Sequence, residues 1–164
     1  MGGKRFFLSA LRGSIVGVLF AMPSFGAAQA NNTTMAESAI IVSPWAPATD
    51  EDTFDGVAYF TIRNAGDRII RLIEVRTTVA DIVSLGKTEI EIDGDLHSSA
   101  IFQVIVPPNG LVTLEPGGQL VLLRDLTKPL VAGTKFVLCL TFYDGSLLSV
   151  DVPVRSVGEG GTMK

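Results

Sequence analysis

Few side chains in this sequence are equipped for chemistry, and the single histidine is the natural place to start. His97, in GDLHSS, closes a run in which Glu89, Glu91, Asp93 and Asp95 recur at every second residue. On an uninterrupted strand that period sets four carboxylates and an imidazole along one face. Such a donor set suits a hard or borderline ion such as Cu(II), Zn²⁺ or Ca²⁺. The competing reading is a solvated hairpin, because Asp93-Gly94 is a tight-turn signal that breaks the alternation, and acids on a solvent face keep an apolar domain soluble. Cys139 stands between Leu138 and Leu140 as the sole cysteine, where a free thiol commonly packs as a small hydrophobe. Read as a thiolate ligand, it has no companion donor nearby in sequence. Met35 and Met163 place thioethers near the two ends of the chain, and fixing either at a metal costs ordering entropy. With one histidine, no Gly-x-Ser-x-Gly elbow and no phosphate-cradling glycine loop, no nucleophile and base pair up, so the residues point away from an enzyme.

These side chains have to be positioned by whatever the rest of the chain builds. The first 30 residues do not contribute to that framework. MGGKRFFLSALR is basic, GSIVGVLFAMPSFGAAQA is apolar without an acid, and Ala28 and Ala30 flank Gln29; this is the pattern of a cleaved secretory signal peptide with an A-x-A site. The alternative, a membrane anchor, is disfavoured by Pro23, Ser24, Gly26 and Gln29, which cut the apolar run short of the roughly 20 residues a span needs. Cleavage after Ala30 leaves 164 − 30 = 134 residues, and loss of Lys4, Arg5 and Arg12 leaves 10 basic against 17 acidic residues, a net charge of −7. Neither nucleic acid nor an anionic membrane is a natural partner for such a surface. A single cysteine cannot staple the domain internally, so stability has to come from packing. A composition of 47% hydrophobic and 18% charged residues allows it.

Residues 31–37 are polar and read as a loose lead-in, residues 38–155 as one domain, and 156–164, ending in VGEGGTMK, as a flexible tail. Within the domain the segments are short and β-branched and are punctuated by turn residues. Strands are expected at AIIVS, VAYFTIRN, IIRLIEVR, IVSL, TEIEI, AIFQVIV, LVTLE, QLVLL, TKFVLCLTFY and LLSVDVPV. The last two form a hairpin: Phe136, Leu138, Leu140 and Phe142 make one apolar face, Asp144-Gly145 turns, and Leu148, Val150, Val152 and Val154 return the period. Asn109-Gly110 after Pro107-Pro108 marks a second hairpin, and Pro116-Gly117-Gly118 a third turn. Eight to ten short strands so connected imply an all-β Greek-key fold, a cupredoxin-like or immunoglobulin-like sandwich or barrel.

Two blocks resemble the PCuAC family of periplasmic copper chaperones. GVAYFTIRNAGDRIIRLIEV, residues 56–75, is similar to the family's strand, Asn-x-Gly turn and following leucine. LEPGGQLVLLRDLTKPLVAGTKFVLCLTFYDG, residues 114–145, is similar to its Pro-Gly turn, Asp-Leu, Lys-Pro-Leu and Leu-x-Phe-x-Asp-Gly pattern. With Trp45 upstream, read as a packing residue, the resemblance runs from Pro44 to Val154. It implies a cupredoxin-like fold and a Cu(I) site made of a histidine, a methionine eleven residues later, and a His-x-Met pair after the Pro-Gly turn. Soft thioether and imidazole donors select the monovalent ion and leave it transferable to an oxidase.

At those positions this sequence differs. Counted without a gap from Asn64, they fall on Gly86, His97, Leu120 and Leu122. Leucine has no lone pair and glycine offers only backbone, so His97 alone keeps a donor side chain. The apolar run from Leu120 to Leu123, hydrophobic on both strand faces, occupies the ligand strand. The sequence therefore implies an exported, periplasmic, non-catalytic accessory or binding member, with no resident cofactor and with copper-handling or cytochrome oxidase assembly proteins as partners. Two alternatives stand beside it: a working metallochaperone using His97 with Met35, Met163 or the acidic run, and an apolar patch at Leu120 and Leu122 that binds protein or lipid.

Overall fold

The computed structural model describes residues 33–90 and 96–156, with the backbone alone for Ile90, Leu96 and His97. A short helix, α1 (Met35–Ser38), precedes ten strands: β1 (Ala39–Pro47), β2 (Gly56–Asn64), β3 (Ile70–Arg76), β4 (Ala80–Ile90), β5 (Leu96–Ala100), β6 (Val104–Val106), β7 (Leu111–Leu114), β8 (Gln119–Leu126), β9 (Lys135–Phe142) and β10 (Leu147–Arg155). They join in the order β5-β4-β8-β7-β2-β1-β10-β9-β3-β6, with a further pairing of β8 to β2. This is the expected all-β, cupredoxin-like architecture, curled so that two faces enclose one core.

Strand β1 makes the curl possible. Its first half pairs antiparallel with β2, from Ala39 against Asn64 to Val42 against Thr61, and its end pairs parallel with β10 at Ala46 and Val154. Between the two lies a bulge from Val42 to Trp45 at which Ser43 adopts φ 49°. A bulge bends the strand and raises its twist, which lets one strand serve two sheets. Trp45 packs there as expected, its ring 4.9 Å from that of Tyr59 and the Arg155 guanidinium 5.7 Å above it.

The core is filled by period-2 positions of opposed strands. Ala58, Phe60 and Ile62 of β2 face Leu138, Leu140 and Phe142 of β9, with Val150, Val152 and Val154 of β10, all buried. The β9–β10 hairpin matches the sequence reading, with Leu148 opposite Leu140 and Gly145 at φ 79° in the turn. Three other expectations change. IVSL and the described part of TEIEI, residues 88–90, are one strand, β4, because ladders to β8 and to β5 run through Gly86 and Lys87 without a break. AIFQVIV is two strands: β5 stays with β4, whereas Val104–Val106 pairs with β3. A chain that changes partners cannot stay in one ladder, and Phe102, 97% exposed, stands in the gap. Pro107–Gly110 is a tight turn, with Gly110 N–H donating to the Pro107 carbonyl at 3.1 Å. It is not a hairpin, because it carries the chain from β6, paired to β3, to β7, paired to β2 and β8.

Residues 34–37 of the lead-in are tied down where polarity suggested looseness. Thr34 and Glu37 form a capping box on α1, and the Met35 N–H donates to Asp144 Oδ2 at 2.7 Å. The Ala36 N–H donates to Ser146 Oγ, so both groups come from the β9–β10 turn. Partial burial pushes the Asp144 carboxyl up, but the hydrogen bonds from Ser146 and from the Met35 amide outweigh it and hold the group below its ordinary value.

Asn64 is the buried polar side chain of the described core, 1% exposed. Its Nδ2 donates to the Arg68 carbonyl at 2.7 Å and to the Val106 carbonyl at 3.3 Å, and its Oδ1 accepts from the Gly66 N–H at 2.9 Å. One side chain thus closes the β2–β3 turn and ties it to β6. Asn64→Ala removes three hydrogen bonds, one of them to the carbonyl of buried Val106, and is expected to cost about 2–4 kcal/mol in urea unfolding. Asn64→Asp, which keeps the acceptor and loses both donors, is expected to cost nearly as much; a change below about 1 kcal/mol in both would show that water replaces these bonds. The Asp144 tether carries a pH dependence with a definite sign. Its carboxyl pKa is depressed in the folded protein, so its contribution is present above the ordinary carboxylate value and fades as pH falls through the lowered one. Amide-exchange protection of Met35, normalised for intrinsic rate, should drop across that acidic range and be low at every pH in Asp144→Ala.

Candidate functional site

The positions that the resemblance assigns to ligands lie on three adjacent strands. Gly86 of β4 is directly opposite Leu120 of β8 on one side and Ala100 of β5 on the other. Residues directly opposite across an antiparallel ladder share a face of the sheet, so Gly86, Leu120 and Leu122, which is opposite Ser84, occupy one face. This face is turned away from the main core, into which Val121 and Leu123 project. His97 pairs through its backbone with Glu89, three register steps along β5 from Ala100.

Both faces of β8 are covered, which answers the apolar run. Leu120 is 3% exposed, and Leu122 is half-buried against Gly86. Beside Leu122 opens a groove of about 380 Å³, whose walls include Pro47, Val57 and Leu122, with Thr49, Ser98 and Arg124 among its polar lining. Sequence reasoning missed Ser98 and Arg124, because the groove is assembled from the 47–57 connection, β5 and β8, and no local pattern marks that meeting.

The other candidate donors are scattered. Cys139 is half-buried, on the face of β9 opposite its core-facing neighbours Leu138 and Leu140. Met35 packs against the core from α1 and is held by its own amide, so it does not swing freely. Met163 and the acids Glu91, Asp93 and Asp95 lie outside the described residues. The antiparallel pairing of Glu89 with His97 and of Ile90 with Leu96 puts Glu89 and His97 on neighbouring strands, directly opposite each other, and not along one continuous strand. Among the described residues no three His, Cys, Asp or Glu side chains gather to hold a metal ion.

A curled ten-strand sheet with this strand order is a cupredoxin-like β-domain of the PCuAC type. The chain belongs to the LpqE-like family, described as "Putative lipoprotein LpqE-like", which it matches over residues 40–154. It is 29% identical over 98 residues to "Putative lipoprotein Lxx21020" of Leifsonia xyli, a match covering 60% of the chain and 59% of that relative; the matched region thus spans less than two thirds of the relative's length. Among solved structures, the copper-bound PCuAC domain from PmoF2 is 26% identical with a TM-score of 0.60, covering 73% of this chain and 93% of that one. The Cu(I) form of DR1885 from Deinococcus radiodurans is 25% identical with a TM-score of 0.56, covering 80% and 89%. The apo PCuAC domain from PmoF1, 23% identical with a TM-score of 0.63 over 73% and 94%, shares the fold.

The burial of Leu120 separates core from contact surface. Leu120→Asp places an unpaired charge where 3% of the side chain is exposed and is expected to lose more than about 3 kcal/mol in urea unfolding. Leu122→Asp, at the groove wall, is expected to lose distinctly less; equal losses would make both residues core.

Proposed function

We propose that the protein is an exported, non-enzymatic, copper-chaperone-like member of its family, acting in the cell envelope through contact with a protein partner and not by carrying Cu(I) in a four-ligand site. The observation that carries this reading is the packing at Gly86, Leu120 and Leu122: the framework around the ligand positions is retained, while a leucine pair without donor atoms fills the face. Imidazole and thioether are what select and hold the monovalent ion, and neither side chain is present at these three positions. Copper-bound neighbours with the same fold, at 25–26% identity, support copper-handling proteins as the class of partner; cytochrome oxidase assembly proteins are the narrower assignment that the family resemblance implies. The lipoprotein descriptions of the family and the relative support the envelope as the compartment, and the N-terminal pattern of residues 1–30 supports periplasmic export by a cleaved signal.

A second reading is a working metallochaperone in which His97 is rebuilt into a site with other donors. It is favoured by one observation: His97 stands directly opposite Glu89 across the β4–β5 ladder, which puts the two positions on one face of the sheet, the face opposite that of Gly86 and Leu120. An anaerobic Cu(I) titration of the purified protein against a chromogenic chelator, with His97→Ala alongside, decides between them. The accessory reading expects no competition with the chelator by either protein. Stoichiometric uptake lost in His97→Ala would replace it with the chaperone reading. Co-purification from envelope extract is expected to recover a copper-handling protein, and its absence would remove the partner assignment.

A further inference from the structure

Gly86 lies in the interior of an eleven-residue strand, paired on both sides. Glycine weakens a strand there, since it loses the most backbone entropy on folding and offers no side chain to pack. No left-handed backbone explains it: the described glycines at positive φ are 117, 133 and 145. What remains is close approach, and the geometry is specific. A Cβ at position 86 would stand 2.8 Å from Leu122 Cδ1, 3.1 Å from Leu122 Cγ and 3.4 Å from the Ser99 carbonyl oxygen. A terminal methyl can swing aside by itself. Cγ moves only with χ1 or with the backbone and has to give by a few tenths of an ångström, so a side chain at 86 displaces Leu122 from its present position.

We infer that Gly86 and Leu122 are a matched steric pair that determines what this face of the sheet accepts: the leucine occupies the volume a side chain at 86 would need. The pair crowds the face by shape in addition to chemistry, so a side chain restored at 86 has to displace Leu122. This consequence for metal selectivity rests on the proposed function; the steric coupling stands on the contacts alone. The pair also shapes one wall of the neighbouring groove, because Leu122 lies between Gly86 and that space.

The test is a double-mutant cycle read by thermal unfolding of the purified protein. Gly86→Ala with Leu122 present is expected to lower Tm by about 2–6 °C. In the Leu122→Ala background the same change should leave Tm unchanged or raise it, because alanine relieves the entropic cost of glycine once its space is free. Gly86→Val extends the series, with a larger loss when Leu122 is present and a loss at least halved when it is absent. Equal losses in both backgrounds, or no loss with Leu122 in place, would overturn the pairing. Tight Cu(I) uptake by the unmodified protein would overturn the proposed function and leave this cycle as it is, so the two failures are distinguishable.

Discussion

The constraint on which the architecture rests is the satisfaction of Asn64 inside an otherwise apolar core. Without a disulfide the domain depends on apolar contact, and such contact is non-directional. Asn64 supplies direction. Its three hydrogen bonds fix where β2 ends, how the chain turns to β3, and where β6 lies against that turn. The Asn109 N–H, donating to the Gly66 carbonyl at 3.1 Å, couples the 107–110 turn to the same point. A buried amide is costly unless fully partnered, so it favours this arrangement over other ways of collapsing the same strands.

Away from that anchor, the face that carries Gly86, Leu120 and Leu122 is apolar. Strand β8 is covered on both sides: Val121 and Leu123 pack into the main core, and Leu120 is buried on the other face. Leucines at these positions add apolar burial within the ladder to β4, which pairs Gly86 with Leu120. Leu122 then needs room, and the missing side chain at 86 supplies it. Family membership and the apolar ligand face are therefore compatible, because different residues support them.

Much of the fold was legible in the sequence because it is written locally. The β9–β10 hairpin follows from alternating hydrophobes around Asp144-Gly145, while the Asn64-Ala65-Gly66 turn was marked by the resemblance to the family. The errors fall where a distant partner decides. Residues 100–106 look like one strand, since nothing in AIFQVIV shows that Ala100 pairs with β4 and Val104 with β3. Pro107–Gly110 has hairpin chemistry and serves as a crossing between the two sides of the fold. The polar lead-in reads as loose until Asp144 and Ser146, over 100 residues away, receive the amides of α1.

The candidate site divides the same way. The sequence by itself determined which donors are absent, since side-chain chemistry at positions 86, 120 and 122 needs no coordinates. Period-2 patterning, a property of each segment alone, likewise determined the all-β class. Only the tertiary structure decided that Leu120 is buried while Leu122 borders a groove, that Ser98 and Arg124 join that groove, and that Gly86 is a matter of space and not of turn geometry. Each of these depends on which strands lie side by side, and that is set by the packing of residues far apart in the chain.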